Sequence, residues 1–354
     1  MSLCAECFHQ GDHTGHDFNM FRSQAGGACD CGDSNVMRES GFCKRHQIKS
    51  SSNIPCVPKD LLMMSEFVLP RFIFCLIQYL REGYNEPAAD GPSEKDLNKV
   101  LQLLEPQISF LEDLTKMGGA MRSVLTQVLT NQQNYKDLTS GLGENACVKK
   151  SHEKYLIALK SSGLTYPEDK LVYGVQEPSA GTSSLAVQDQ SIMDVLKHKS
   201  FLEELLFWTI KYEFPQKMVT FLLNMLPDQE YKVAFTKTFV QHYAFIMKTL
   251  KKSHESDTMS NRIVHISVQL FSNEELARQV TEECQLLDIM VTVLLYMMES
   301  CLIKSELQGM NLNKRELNEH VEFESQTYYA AFAAELEACA QPMWGLLSHC
   351  KVRV

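Results

Sequence analysis

This 354-residue sequence predicts a mostly α-helical protein that opens on a small module built from cysteine and histidine. Three observations predict it. From residue 58 onward, apolar residues recur at helical spacing and strand-type alternation is rare. The first fifty residues have almost no aliphatic periodicity, so they cannot assemble a hydrophobic core of their own. Those same residues hold Cys4, Cys7, Cys29, Cys31 and Cys43 together with His9, His13, His16 and His46.

The opening module, residues 1–48, is read from its donor pairs. They are C-x2-C (Cys4, Cys7), H-x2-H (His13, His16), C-x-C (Cys29, Cys31) and C-x2-H (Cys43, His46). Thiolates and imidazoles at such spacings close tetrahedral shells around zinc, and glycine permits the tight turns between them. Bound metal then replaces the missing core. How the donors are shared is open at this level. Spacing alone groups Cys4, Cys7, His13 and His16 on one ion. Yet five residues separate Cys7 from His13, where a ββα finger needs about twelve. In a second reading Cys29 and Cys31 serve different ions, because successive side chains on extended backbone point to opposite sides.

Residues 49–57, "KSSSNIP" and its surroundings, read as a linker. A helical region follows over 58–175. Within it Pro106 is expected to bend or end a helix, and "REGYNEPAADGPSEKD" (81–96) is expected to be a break between helices. Residues 176–190, a low-complexity stretch rich in Ser and Gln, read as a flexible loop. A second helical region covers 191–354. Phe201, Leu205, Trp208 and Tyr212 form one helical stripe, as do Phe235, Phe239, Tyr243, Ile246 and Leu250. Ser200 with Glu203 three residues on makes a capping box for the first of these. Met290, Tyr296, Met297 and Met298 are expected in the core, with a partner-docking groove as the alternative. Trp344, Leu346 and Leu347 lie close to the end with no later segment to cover them, so the helical region is expected to be truncated at its C-terminus.

The bulk numbers narrow the function. Thirty-four basic against 44 acidic side chains give a formal charge of −10, and the basic face that nucleic-acid binding needs is missing. No secretion signal opens the chain, and no apolar run is long and uncharged enough to span a membrane. The six cysteines after Cys56 are scattered singly and are expected to be reduced, buried and inert. No catalytic residue is identified: phosphate loop, serine elbow and H-E-x-x-H are all absent. Cys147, beside Lys149 and Lys150, is the faintest hint of an activated thiol. A second Cys/His cross-brace of the RING kind is absent as well, since no C-x2-C pair follows Cys7.

The run "SLCAECFHQGDHTGHDFNMFRSQAGGACDCGDSNVMRESGFCKRH" resembles the zinc-binding UBR box of the N-recognin family of E3 ubiquitin ligases. C-x2-C-F, H-x2-H, G-G-x-C-D-C-G-D and F-C-x2-H carry the resemblance, over residues 3–46. It implies three zinc ions, two of which share Cys7. One would use Cys4, Cys7 and Cys29 with a cysteine upstream. The second would use Cys7, Cys31, Cys43 and His46. The third would use His13 and His16 with two upstream cysteines. A partial box is therefore expected, in which only the second set is complete within this chain and water or His9 completes the first.

The resemblance also gives Asp30 and Asp33 a role, as the peptide-binding residues that grip the free α-ammonium of a substrate protein's N-terminus. A carboxylate accepts charge-assisted hydrogen bonds from –NH₃⁺, roughly twice as strong as neutral ones. Gly26, Gly27 and Gly32 would let a peptide backbone come close. The bland alternative is that both aspartates are exposed turn residues or orient the zinc ligands. Ala28 stands where relatives that bind basic N-termini carry a bulky aromatic residue. The implied protein is the degron-recognition and scaffold part of a RING-type E3 in ubiquitin-dependent degradation. Its partners would be substrate N-termini and, through a RING outside this chain, a ubiquitin-conjugating E2; no nucleic acid and no membrane are expected. Its location would be cytoplasmic and also nuclear. The competing reading is a zinc-stabilised helical interaction scaffold without peptide binding or ligase activity.

Overall fold

The computed structural model describes residues 2–16, 20, 27–34, 36–46, 57–84, 94–140, 146–162, 198–250, 253, 256–291, 293–294, 338–340 and 342–349. Among them no residue is in a strand. The opening module holds α1 (Ala5–Gln10) and a 3-10 turn at Glu39–Gly41. A helical body follows: α2 (Lys59–Gly83), α3 (Glu94–Thr115), α4 (Gly119–Thr130), α5 (Gln132–Ser140), α6 (Ala146–Ser162), α7 (Phe201–Lys211), α8 (Gln216–Asn224), α9 (Gln229–Gln241), α10 (Tyr243–Leu250), α11 (Ser256–Phe271) and α12 (Glu274–Glu283).

Helix α2 shows why the body is helical. Leu69, Ile73, Leu76, Ile77 and Leu80 repeat at three and four residues and are all buried. That stripe lets α2 pack on α3, α4, α5, α6 and α7. Helix α7 is apolar nearly all round, and only Glu203 and Lys211 in it are not buried. It therefore lies at the centre, against α2, α4, α9 and α10. Ser200 caps it, accepting from the Glu203 N–H. The Glu203 carboxylate reaches back one residue further than a capping box does, to the Lys199 N–H at 2.7 Å.

One charged network crosses this core. Arg81 of α2 makes a bidentate ion pair with Glu204 of α7, both bonds at 2.7 Å, and neither side chain is exposed. Tyr135 Oη (2.6 Å) and Trp208 Nε1 (2.9 Å) donate to the same carboxylate. The guanidinium lies 4.6 Å from the centre of the Tyr155 ring. A buried carboxylate with four donors is solvated by the protein itself, which is the condition for burying a charge.

A second buried chain links α6, the segment just before α7 and the end of α9. Tyr155 Oη and His198 Nδ1 are 2.7 Å apart, the Nε2 atoms of His198 and His242 are 3.3 Å apart, and His242 Nδ1 lies 2.8 Å from the Thr238 carbonyl. One donor order satisfies every link: tyrosine to His198, His198 to His242, His242 to carbonyl. It requires both imidazoles to be neutral. Burial accordingly pushes His198 well below the ordinary histidine range and His242 down to about 4.

Several expectations need correction. Helix α3 runs through Pro106 and does not end there. The break placed at 81–96 begins later, because α2 continues to Gly83 and Arg81 is at the heart of the body. The stripe from Phe235 to Leu250 is buried but is carried by two helices, since the chain turns at His242 between α9 and α10. Cys75 is exposed, while Cys339 is buried and Cys284 half-buried. Met290 is in the core; Tyr296, Met297 and Met298 fall outside the described residues, as do the 176–190 loop and the linker except for Val57. Trp344 is 75% exposed, whereas Leu346 is buried. Among the described residues no helix is long and apolar enough to cross a membrane.

Candidate metal centre and adjoining cavity

Cys4 is the N-cap of α1, and its sulfur accepts from the Cys7 N–H at 3.4 Å. One short helix thus presents both thiols of the C-x2-C pair. The chain then returns beside its own start: the Asp30 N–H donates to the Ser2 carbonyl at 2.8 Å, and the Ser2 N–H donates to Asp30 Oδ2 at 2.6 Å. A turn follows, with the Asp33 N–H on the Asp30 carbonyl and Gly32 at φ +105°. A positive φ at the third residue of such a turn is what makes glycine necessary there. Residues 43–46 close a second turn, with the His46 N–H on the Cys43 carbonyl at 2.9 Å.

These turns bring one donor atom each of Cys7, Cys31, Cys43 and His46 within 4.8 Å of one another, and likewise those of Cys4, Cys7 and Cys29. The two cysteines of C-x-C go to different groups, and the groups meet at Cys7. The first group has the dimensions of a zinc shell. Zn–S near 2.3 Å and Zn–N near 2.05 Å require tetrahedral edges of about 3.8 Å between sulfurs and about 3.6 Å from sulfur to nitrogen. The separations are 3.8 Å for Cys43 Sγ to Cys7 Sγ, 3.5 Å for Cys7 Sγ to His46 Nδ1 and 3.3 Å for Cys43 Sγ to His46 Nδ1. Backbone N–H groups point at the remaining sulfurs, from Cys4 to Cys29 Sγ and from Cys43 to Cys31 Sγ, both at 3.2 Å. Such bonds hold thiolate ligands in place. The Cys7 backbone N–H lowers the Cys4 thiol, whereas burial pushes the Cys7 and Cys31 thiols up. A cation among them would offset that cost.

His13 and His16 stand apart. His13 is half-buried and His16 exposed, with ring centroids 6.2 Å from each other. His13 stacks on Phe8, with Nε2 2.6 Å from the Phe8 carbonyl. Neither histidine joins a donor group of three among the described residues.

Asp30 and Asp33 line a cavity of about 390 Å³ between the module and the body. Asp30 is buried, which rules out the reading of it as an exposed turn residue. Burial pushes its carboxyl above the ordinary range, against the Ser2 N–H and the charge of Lys232. The opposite wall comes from residues that no sequence pattern singles out: Leu226, Pro227, Gln229, Lys232 and Gln269. Lys232 Nζ is 3.8 Å from Asp33 Oδ2, and its side chain is only 5% exposed. Gln269 clasps the backbone of Ala28, with its Oε1 accepting from the N–H at 3.4 Å and its Nε2 donating to the carbonyl at 3.3 Å. Gly27, at φ +129°, is what lets it in, because a Cβ there would overlap the Gln269 amide. Here glycine admits the protein's own helix α11. A lysine one position from the Tyr231–Phe235–Phe239 stripe is the only trace of this wall in the sequence.

The sequence model for the zinc finger in N-recognin (UBR box) matches residues 1–46. E3 ubiquitin-protein ligase UBR3 of Homo sapiens is 78% identical over 452 aligned positions, covering all of this chain and 24% of that protein. The alignment is longer than this chain, so it opens gaps in it. The Drosophila melanogaster Ubr3 ligase is 38% identical, over 99% of this chain and 18% of its own length. E3 ubiquitin-protein ligase UBR1 of Homo sapiens is 23% identical over 88% of this chain and 20% of its own length. The chain thus spans about a quarter or less of these relatives. No solved structure matches it. Its first 46 residues are a zinc-binding UBR box, and along its whole length the chain is a relative of the UBR-box E3 ubiquitin-protein ligases.

Proposed function

We propose that this chain is the substrate-capturing part of a ubiquitin ligase. One zinc ion is held by Cys7, Cys31, Cys43 and His46, and a second by Cys4, Cys7 and Cys29 with one further donor. His13 and His16 belong to a third site that needs cysteines not found in residues 1–46. The metal freezes the Asp30–Asp33 turn, and the two carboxylates receive the free α-ammonium of a substrate's first residue. Because the turn is fixed in advance, little ordering cost is left for binding. The helical body carries the box at a set position, and a RING elsewhere in the full-length ligase brings the E2.

The observation that carries this reading is the pair of carboxylates on one wall of an open cavity, directly beside the cysteine cluster. Isothermal titration of the zinc-loaded chain with a free-amino peptide and its N-acetylated twin tests it. The free amine should bind at least ten times more tightly, a loss of about 1.4 kcal/mol on acetylation. Equal affinities would remove the ammonium grip.

One observation favours a second reading, a zinc-stabilised helical scaffold that binds no peptide. Asp30 already accepts from Ser2, and Asp33 already faces Lys232. In that case neither peptide would bind.

A further inference from the structure

We propose that Lys232 of α9 sets the specificity of the box: the pocket takes a free chain N-terminus whose first side chain is not basic. This rests on the ammonium-binding reading above and deepens it.

The box supplies only half of the cavity. Asp30 and Asp33 face Lys232, Gln229 and Leu226 of the body across about 390 Å³. The Gln269–Ala28 clasp and the close approach at Gly27 fix the two halves together. The body's wall is therefore a built part of the site.

Charge decides what fits. Two carboxylates alone would match a dication, an α-ammonium beside a basic first side chain. With the Lys232 ammonium 3.8 Å from Asp33 and nearly excluded from water, one of the two carboxylates already faces a cation. That complements an α-ammonium alone. A lysine or arginine at the first position would bring its second positive charge against Lys232 in a partly dry cavity. At about 6 Å and an effective dielectric near 20, such a contact alone weakens binding by about a hundredfold, and attraction to the two carboxylates reduces the net effect to about tenfold. Asp30, on the side of the turn tied to Ser2, is left to hold the α-ammonium. Ala28 offers no aromatic face to a basic side chain, in keeping with the same choice.

The test is titration of the zinc-loaded chain with four peptides identical beyond the first residue: free-amino Ser, Glu and Arg peptides, and an acetylated Ser peptide. Wild type should bind the Ser and Glu peptides about tenfold more tightly than the Arg peptide. Lys232→Gln should erase or reverse that ratio, and Lys232→Arg should restore it. Zinc content and the thermal transition of both variants report whether the fold survives. Because the Lys232→Arg arm keeps the charge, a merely structural role for Lys232 would not reproduce the pattern. If the Arg peptide binds wild type best, or if Lys232→Gln leaves the ratio unchanged while acetylation still weakens binding, the specificity role is wrong and the ammonium grip stands. If no free-amino peptide binds better than the acetylated Ser peptide, both are wrong.

Discussion

The box and the body are filled in different ways. The box's interior consists of Cys7, Cys31, Cys43 and Phe42, with Leu3, Cys29 and Met37 at its margin. The body's interior is one continuous apolar cluster from Val57 to Leu346. Three buried thiols and a phenyl ring shed far too little apolar surface to offset the ordering of some forty residues, at about 25 cal/mol per Å² against about 1–2 kcal/mol per residue. Metal must supply the difference, and structural zinc contributes on the order of 10–16 kcal/mol. The body needs no such help. Its buried charges are matched within the protein, as in the Arg81–Glu204 pair between α2 and α7. Where the two regions touch, each contributes what the other lacks: the box brings carboxylates, the body a lysine and a glutamine.

The largest expected effect breaks the box alone. Cys43→Ser or His46→Ala should abolish the zinc held by the complete donor set and most of the box's stability. The far-UV helical signal of the body should persist. Zinc counting on the purified variants checks it, and undiminished metal would show that the ligand set is wrong. His13→Ala, outside both groups, should keep that metal.

Next in size is a cut in the body. Arg81→Met strands the Glu204 carboxylate in the core and should cost about 3–5 kcal/mol in denaturant unfolding. Zinc content should be unchanged, the reverse of the cysteine variants.

The histidine chain gives a smaller, pH-dependent effect. Its folded-state pKa values are depressed, and His242 lies at about 4. A neutral-buried histidine must shed its proton to fold, so its stability contribution is present above the unfolded pKa of about 6.5 and declines as pH falls below it. Between pH 7 and pH 5.5, His242 alone should account for about 1 kcal/mol of lost stability in the body transition. His242→Asn should flatten that slope. A steeper slope in the variant would contradict the neutral assignment.

The smallest effect is local. Ser200→Ala removes the cap of α7 and should cost about 1 kcal/mol.

What the sequence reveals differs between the regions for a physical reason. The box is legible because metal chemistry demands particular residues at short spacing: C-x-C sent to two groups, C-x2-H closing a turn. The stripes of α7, α9 and α10 are legible because burial imposes the helical period. Proline is an ambiguous signal. Pro106 reads as a bend or an end of a helix, and α3 does not end there, so packing of the surrounding turns outweighs one lost hydrogen bond and the ring's clash. Arg81 reads as the start of a polar loop, and only the partner 123 residues away makes its burial possible. The far wall of the cavity was hidden for the same reason. Lys232 and Gln269 acquire meaning from residues some two hundred positions earlier, and no local pattern records such a meeting.

Amide hydrogen exchange, with and without a zinc chelator, tests the division between the two regions most directly. The account predicts that on chelation residues 2–46 lose protection while α2 and α7 keep theirs. A box that stays protected without metal, or a body that opens with it, would contradict the account.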